Sequence, residues 1–167
     1  MPTIRLPLDL RNPRVTSLAG NSFFTVSGLT AVDLGHWRFL NDVEGRVYGV
    51  VLIPPNLAGT PNANIGLALF ANATSGVTRF TVATKSVANN ASLNPASLTA
   101  ETAQDITVPA TARLRKDVTF PSSGSLGETL AASSVLLVEI THNGDHANDT
   151  LAVSTDMVSA WLQVDVT

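Results

Sequence analysis

The densest polar chemistry of this chain lies in His142-Asn143-Gly144-Asp145-His146-Ala147-Asn148-Asp149-Thr150, where two histidines, two aspartates and two asparagines fall within nine residues. The imidazoles of His142 and His146 with the carboxylate of Asp145 or Asp149 make an adequate donor set for zinc. The oxygens of Asn143, Asp145, Asn148 and Asp149 suit calcium. The spacing argues against both ions. A histidine pair four apart converges on one side of a helix, whereas Asn143-Gly144 is a strong turn signal because both residues tolerate positive φ. The acidic positions also miss the calcium-loop pattern, which closes on a glutamate. The segment therefore reads as a polar connection between two strands and not as a metal centre. His142, Asp145, His146 and Asp149 remain the ligands of the weaker, metal-binding alternative.

Other catalytic constellations are missing from the sequence. There is no cysteine, so disulfides, thiolate metal sites and cysteine nucleophiles are excluded. No serine sits in a G-x-S-x-G elbow, and no glycine-rich phosphate loop occurs. Asp42 and Glu44 form the single close acidic pair, which reads as a solvated loop. The expectation is a protein that is not an enzyme and carries no cofactor. A net charge of −3 with ten Lys and Arg scattered along the chain argues against nucleic acid as partner. The N-terminus lacks a basic and apolar leader pattern, and no apolar run approaches the roughly 18 residues of a membrane helix. Synthesis in the cytoplasm without membrane attachment is expected. Aromatic side chains, the usual platforms for sugars, are few, and Trp37, Tyr48 and Trp161 are the candidates.

The elements that must position these residues repeat with a period of two. Ile4, Leu6, Leu8 and Leu10 alternate with polar residues, and Pro7 limits this segment to an edge strand or an extended arm. Arg46–Ile53 is apolar on both faces, the pattern of a covered central strand. Ile65, Leu67 and Leu69 share a face, as do Phe80 and Val82, and the turn-forming Asn72–Gly76 between them predicts a hairpin. Shorter strands are expected at Asp105–Pro109 and Arg113–Phe120, with Leu114, Val118 and Phe120 on one face. A single helical turn is placed at Gly124–Ala131, and a short strand at Thr150–Val153. Two strong strands, Ser134–His142 and Met157–Val166, follow. In the last, Val158, Ala160, Leu162, Val164 and Val166 face one way and Trp161 the other. These segments predict an all-β, jelly-roll-like sandwich of about eight antiparallel strands with an extended N-terminal arm. Residues 1–36 are assigned to the arm and first strands, and 37–167 to the sandwich, within one domain overall.

The order "WRF…VYGVVLIPPNLAGTPNANIGLALFANATSGVTRFTVATKSV…DHANDTLAVSTDMVSAWLQVDV" resembles small jelly-roll virion proteins of tailed bacteriophages. The matching positions are Pro54, Asn72–Gly76, Asp145, Asn148–Ala152 and Asp156–Val166, within residues 37–167. The resemblance implies a capsid decoration, or cement, protein that binds adjacent major capsid subunits, assembles as a homotrimer and sits on the capsid surface. Ile4, Leu6, Leu8, Leu10, Trp37 and Trp161 are then the interface candidates. The alternative from the same resemblance is a tail module that recognises a host-surface glycan, with the loops 142–150 and 56–63 at one end of the sandwich as its contact surface.

Overall fold

The computed structural model describes residues 1–11, 22–29, 32–94 and 97–167, with side chains described for 1–10, 35–94 and 97–167. Twelve strands are present among the described residues: β1 (Thr3–Pro7), β2 (Asp9–Arg11), β3 (Ser22–Leu29), β4 (Val32–Phe39), β5 (Glu44–Leu52), β6 (Ala63–Ala71), β7 (Val77–Val87), β8 (Thr99–Ala100), β9 (Gln104–Thr107), β10 (Lys116–Phe120), β11 (Val135–Asn143) and β12 (Thr155–Asp165). They form two antiparallel sheets. Sheet A runs β10-β6-β12-β4-β3 with β1 also on β12, and sheet B runs β2-β5-β11-β7-β8 with β9 also on β7. The all-β sandwich expected from the period of two is the observed architecture, with more and shorter strands than the sequence pattern separates.

The core is the layer between the sheets. Ile65, Leu67 and Leu69 of β6 and Ala160, Leu162 and Val164 of β12 meet Val47 and Val51 of β5, Phe80 and Val82 of β7 and Leu136, Val138 and Ile140 of β11. Fully burying one such side chain contributes about 1.5–3 kcal/mol, so this layer dominates the favourable side of folding. A β-bulge between Met157 and Ser159 shifts the register of β12 on β6. It turns Met157, instead of the expected Val158, into the core.

Several local expectations are corrected. Asn72–Gly76 does not close a hairpin, because β6 pairs β10 and β12 in sheet A whereas β7 pairs β11, β8 and β9 in sheet B. Each strand finds its apolar partners in a different sheet, so the turn crosses the sandwich edge. Arg46–Ile53 is not covered on both sides: in β5 inward Val47, Gly49 and Val51 alternate with outward Tyr48 and Leu52, which are exposed. Leu114 lies outside β10 and is exposed. No helical turn forms at 124–131 and no strand at 150–153; Leu126 and Leu151 are instead buried from irregular loops.

The N-terminal arm is paired within its own chain. Thr3–Pro7 aligns with Trp161–Asp165 of β12, Leu8 donates its N–H to the Ala160 carbonyl, and Asp9–Arg11 continues onto Tyr48–Val50 of β5. One short segment thus stitches sheet A to sheet B. Leu8 is buried, and Ile4, Leu6 and Leu10 pack against the core. Gly49 makes the crossing possible, since a Cβ there would stand 3.1 Å from Leu10 Cδ2 and 3.3 Å from Leu8 Cβ. The aliphatic row expected at an intersubunit interface is spent on the molecule's own core, because alternation turns it toward the nearest apolar layer.

A second stitch lies at 121–134. The Leu126 N–H donates to the Ala63 carbonyl of sheet A, while Glu128 accepts the Ser86 N–H at 3.0 Å and the Thr99 hydroxyl at 2.8 Å and pairs with Lys85 at 3.1 Å on the sheet B side. Burial alone would raise the Glu128 carboxyl, but these donors and the Lys85 charge together hold it below the ordinary carboxylate range. A depressed carboxylate contributes stability that is complete above its unfolded value of about 4.3 and is lost as pH falls through the folded value. Glu128→Gln is therefore expected to flatten the acid limb of the stability–pH curve below about pH 4.3, measured by urea unfolding. Removing residues 1–11 is expected to lower the melting midpoint by about 10 °C or more, since one buried and three partly buried aliphatic side chains go with them. Differential scanning calorimetry of the truncated chain reads this directly.

Candidate functional site

The histidine-rich connection is anchored to the core and makes no metal cluster. His142 is the next inward position after Leu136, Val138 and Ile140 on β11, and its buried ring packs between Phe80 and Phe39, with centroids 5.0 and 5.7 Å away. Its Nε2 lies 3.0 Å from Asp149 Oδ2, a contact between two buried groups. Asp149 also accepts the Arg79 N–H at 2.8 Å and the Leu151 N–H at 3.3 Å. Asp145 and His146 are exposed, and His146 Nδ1 accepts the Asn148 N–H at 3.1 Å within its own turn. Of the four candidate ligands the fold unites His142 with Asp149 and leaves the other two outside. Among the described residues no group of three His, Cys, Asp or Glu is placed to hold a metal ion. Asp149 is a loop anchor.

The two loops expected to form one contact surface lie at opposite ends of β6. Residues 56–62 precede Ala63, where Asn62 donates to Asp165 and Leu57 bridges Val166. Thr150 and Leu151 instead donate to the Val77 carbonyl, beyond Ala71. The nine residues of β6 separate these ends by about 27 Å.

The third histidine is also structural. His36 is buried, 3.4 Å from Asp156 Oδ1, with its ring edge-on to Phe70. Asp156 receives a two-pronged contact from Arg38, at 2.8 and 3.1 Å. Trp37, an interface candidate, points into the core.

What the sandwich leaves open is the outer face of sheet B. Alternation sends Glu44, Arg46, Tyr48, Val50 and Leu52 of β5 outward beside Val135, Leu137, Glu139 and Thr141 of β11, with Tyr48 opposite Glu139 and Arg46 opposite Thr141. Leu93, Asn94 and Leu98 border a groove of about 340 Å³ on this face, with Tyr48, Val50, Leu137 and Glu139 on its floor. A second hollow of about 320 Å³, bounded by Leu52, Leu93, Ser133 and Val135, continues it along the sheet.

One half of this face is apolar and the other is a charged, hydrogen-bonded cluster. Arg46 donates to Glu44 at 2.7 Å and lies 3.6 Å from Glu139. Burial works against the Arg46 charge, but the two carboxylates outweigh it and raise the guanidinium further. Partial burial and the hydrogen-bonded Glu139 carboxylate push the Tyr48 phenol above its ordinary range, so its hydroxyl remains protonated at neutral pH. Thr81 donates to Asn143 at 2.8 Å at the margin of the same face. An aromatic ring beside fixed donors and acceptors, in a trough open at the surface, is the arrangement that recognises a polyhydroxylated ring. Tyr48 is the sequence-stated aromatic candidate that reaches this site. Glu139, Arg46 and Asn94 carry no sequence motif; strand alternation is the one legible signal for Glu139 and Arg46, and Asn94, in a loop, has none.

No protein-family model matches the chain, and no curated protein sequence does. Similarity is found among solved structures. An isomalto-dextranase from Arthrobacter globiformis T6, complexed with panose, aligns with a TM-score of 0.53 and 17% identity over 98% of this chain and 23% of that one. A family 35 carbohydrate-binding module from Clostridium thermocellum aligns over 100% of both chains with a TM-score of 0.47 and 11% identity. The CBM22-1 xylan-binding domain from Paenibacillus barcinonensis covers 98% of this chain and 94% of its own, with a TM-score of 0.46 and 8% identity. At 17% identity the likeness to the isomalto-dextranase segment shows the fold alone, and with the two antiparallel sheets the chain is a jelly-roll-like β-sandwich. The sandwich part of the phage resemblance is thereby supported, and its virion part gains nothing.

The role of Asp149 is testable through stability. Asp149→Ala leaves the Arg79 N–H without its acceptor and removes the buried carboxylate beside the His142 imidazole, while Leu151 keeps its bond to the Val77 carbonyl, and one buried donor so orphaned costs about 1–3 kcal/mol. The expected destabilisation is about 1–3 kcal/mol by denaturant unfolding. His146→Ala, in an exposed turn, is expected to change stability by less than about 0.5 kcal/mol.

Proposed function

We propose that this protein is a glycan-binding module that acts by recognition without catalysis, with the groove on the outer face of sheet B as its binding surface. The observation that carries the reading is the juxtaposition of Tyr48, Glu139 and Arg46 with an aliphatic trough of about 340 Å³. A pyranose presents an apolar C–H face and a rim of hydroxyl groups. The Tyr48 ring offers a surface for the first, while Glu139 accepts from hydroxyl groups and Arg46 and Asn94 donate to them. Because Arg46 is already tethered by Glu44, little conformational freedom remains to be lost on binding. Glu139 is the single carboxylate among the described lining residues, and glycoside hydrolysis ordinarily uses two. The open, two-part trough favours several units of a chain over one isolated sugar.

The fold supports this reading to the extent that the isomalto-dextranase segment sharing it belongs to a protein complexed with panose. Recognition of a surface glycan is also the receptor-type alternative that the sequence resemblance implied. Capsid decoration has no comparable feature in its favour, since the arm that was to reach a capsid subunit is paired at home.

A glycan array followed by titration calorimetry tests the proposal. Tyr48→Ala and Glu139→Ala are each expected to weaken binding of the selected oligosaccharide at least tenfold, about 1.4 kcal/mol, with the melting midpoint little changed because Tyr48 is exposed. Absence of binding to any glycan, or unaltered affinity in both variants, would overturn it.

A further inference from the structure

A further hollow lies on a different surface. On the outer face of sheet A, Trp161 stands in register between Pro7 of β1 and Gly66 of β6. Its indole covers Gly66 so closely that a Cβ there would lie 2.1 Å from Cε2. The Arg5 guanidinium sits over the ring, with Cζ 5.2 Å from its centroid, and its Nε donates to Gln163 at 3.0 Å. Arg115 approaches from the β10 side, oriented by Nε and Nη2 bonds of 2.7 and 2.6 Å to Asp117. Between them is an open hollow of about 300 Å³ lined by Arg5, Pro7, Arg115, Ser159, Ala160 and Trp161.

Its lining holds two guanidinium groups, one hydroxyl, an indole and a proline, and no carboxylate. Stacking on Trp161 and the Gln163 bond fix the plane of Arg5, so its terminal N–H groups form a pre-oriented fork. A fork of this kind matches planar or tetrahedral oxyanions. The adjoining Pro7 and Trp161 surfaces suit the apolar face of a ring. Asp117 neutralises part of the Arg115 charge and takes up two of its N–H groups.

We infer that this hollow binds the anionic substituent of an acidic sugar, with Arg5 and Arg115 as the anion ligands. The inference stands apart from the sheet B groove and does not need it. A carboxylate and a sulfate ester share the chemistry, and the experiment separates them.

The chain has two tryptophans, and Trp37 is buried in the core, so the Trp161 indole N–H is a resolvable reporter in a ¹⁵N-labelled sample. Titration with trigalacturonate and, separately, with galactose 6-sulfate is expected to move the Trp161 indole resonance to saturation in at least one case. Whichever saturates identifies the anion. Neutral galactotriose should leave the resonance in place, and raising the salt should weaken the acidic ligand. Arg5→Gln and Arg115→Gln should each reduce affinity at least fivefold with the remaining amide spectrum unchanged, and Arg5→Lys should fail to restore it. Tyr48→Ala should have no effect on this titration. Saturation by neither acid, equal response to the neutral trisaccharide, unchanged affinity in both arginine variants, or loss of binding in Tyr48→Ala would each overturn the assignment.

Discussion

Burial of one continuous aliphatic layer between two sheets is the constraint on which every other feature of this molecule depends. Each long strand can place only every second side chain in that layer, and the strands here use those positions almost without exception. The two sheets must then be kept face to face. Two irregular connections do this: the arm that passes from β12 to β5 at Leu8, and the 121–134 loop that joins Ala63 to Glu128. Neither makes a large contact, but each converts two stacked sheets into one closed body whose edges cannot slide apart without breaking backbone hydrogen bonds.

Closure explains why the buried polar groups are structural. The side chains of His142, Asp149, His36 and Asp156 are shut away from water, and each histidine stands against a carboxylate within the fold. His142 meets Asp149, and Asp156 meets Arg38. Chemistry that looked available in the linear chain is consumed in fastening a loop to β7 and a strand pair to its neighbour. The side chains that the core does not need are those of the outer faces.

The two outer faces differ in kind. Sheet B offers a trough with one aromatic ring, an ion-paired polar cluster and an aliphatic wall, which suits neutral polyhydroxylated ligands. Sheet A offers a flat indole under one guanidinium and near a second, which suits negative charge. In both, charged groups are oriented by a neighbour before any ligand arrives, through Glu44 and Glu139 for Arg46 and through Gln163 and Asp117 for Arg5 and Arg115.

The linear pattern was sufficient for fold class, because alternation is a local property: Ile65, Leu67 and Leu69, or Leu136, Val138 and Ile140, read as inward rows without reference to any other strand. The same alternation extended one step would have sent His142 inward, and it did send Trp161 outward. Pairing between distant strands was not legible. Asn72–Gly76 has the composition of a hairpin turn, yet whether β6 and β7 join one sheet or two depends on β11 and β12, whose paired residues are 48 to 101 positions away in sequence. The arm is the same case, since a short alternating strand carries no mark of whether its partner is its own chain or another. The groove and the hollow proposed for an anion are likewise products of register, which set Tyr48 opposite Glu139 and Trp161 opposite Gly66. Periodicity states which way a side chain points, and contact requires knowing what was folded beside it.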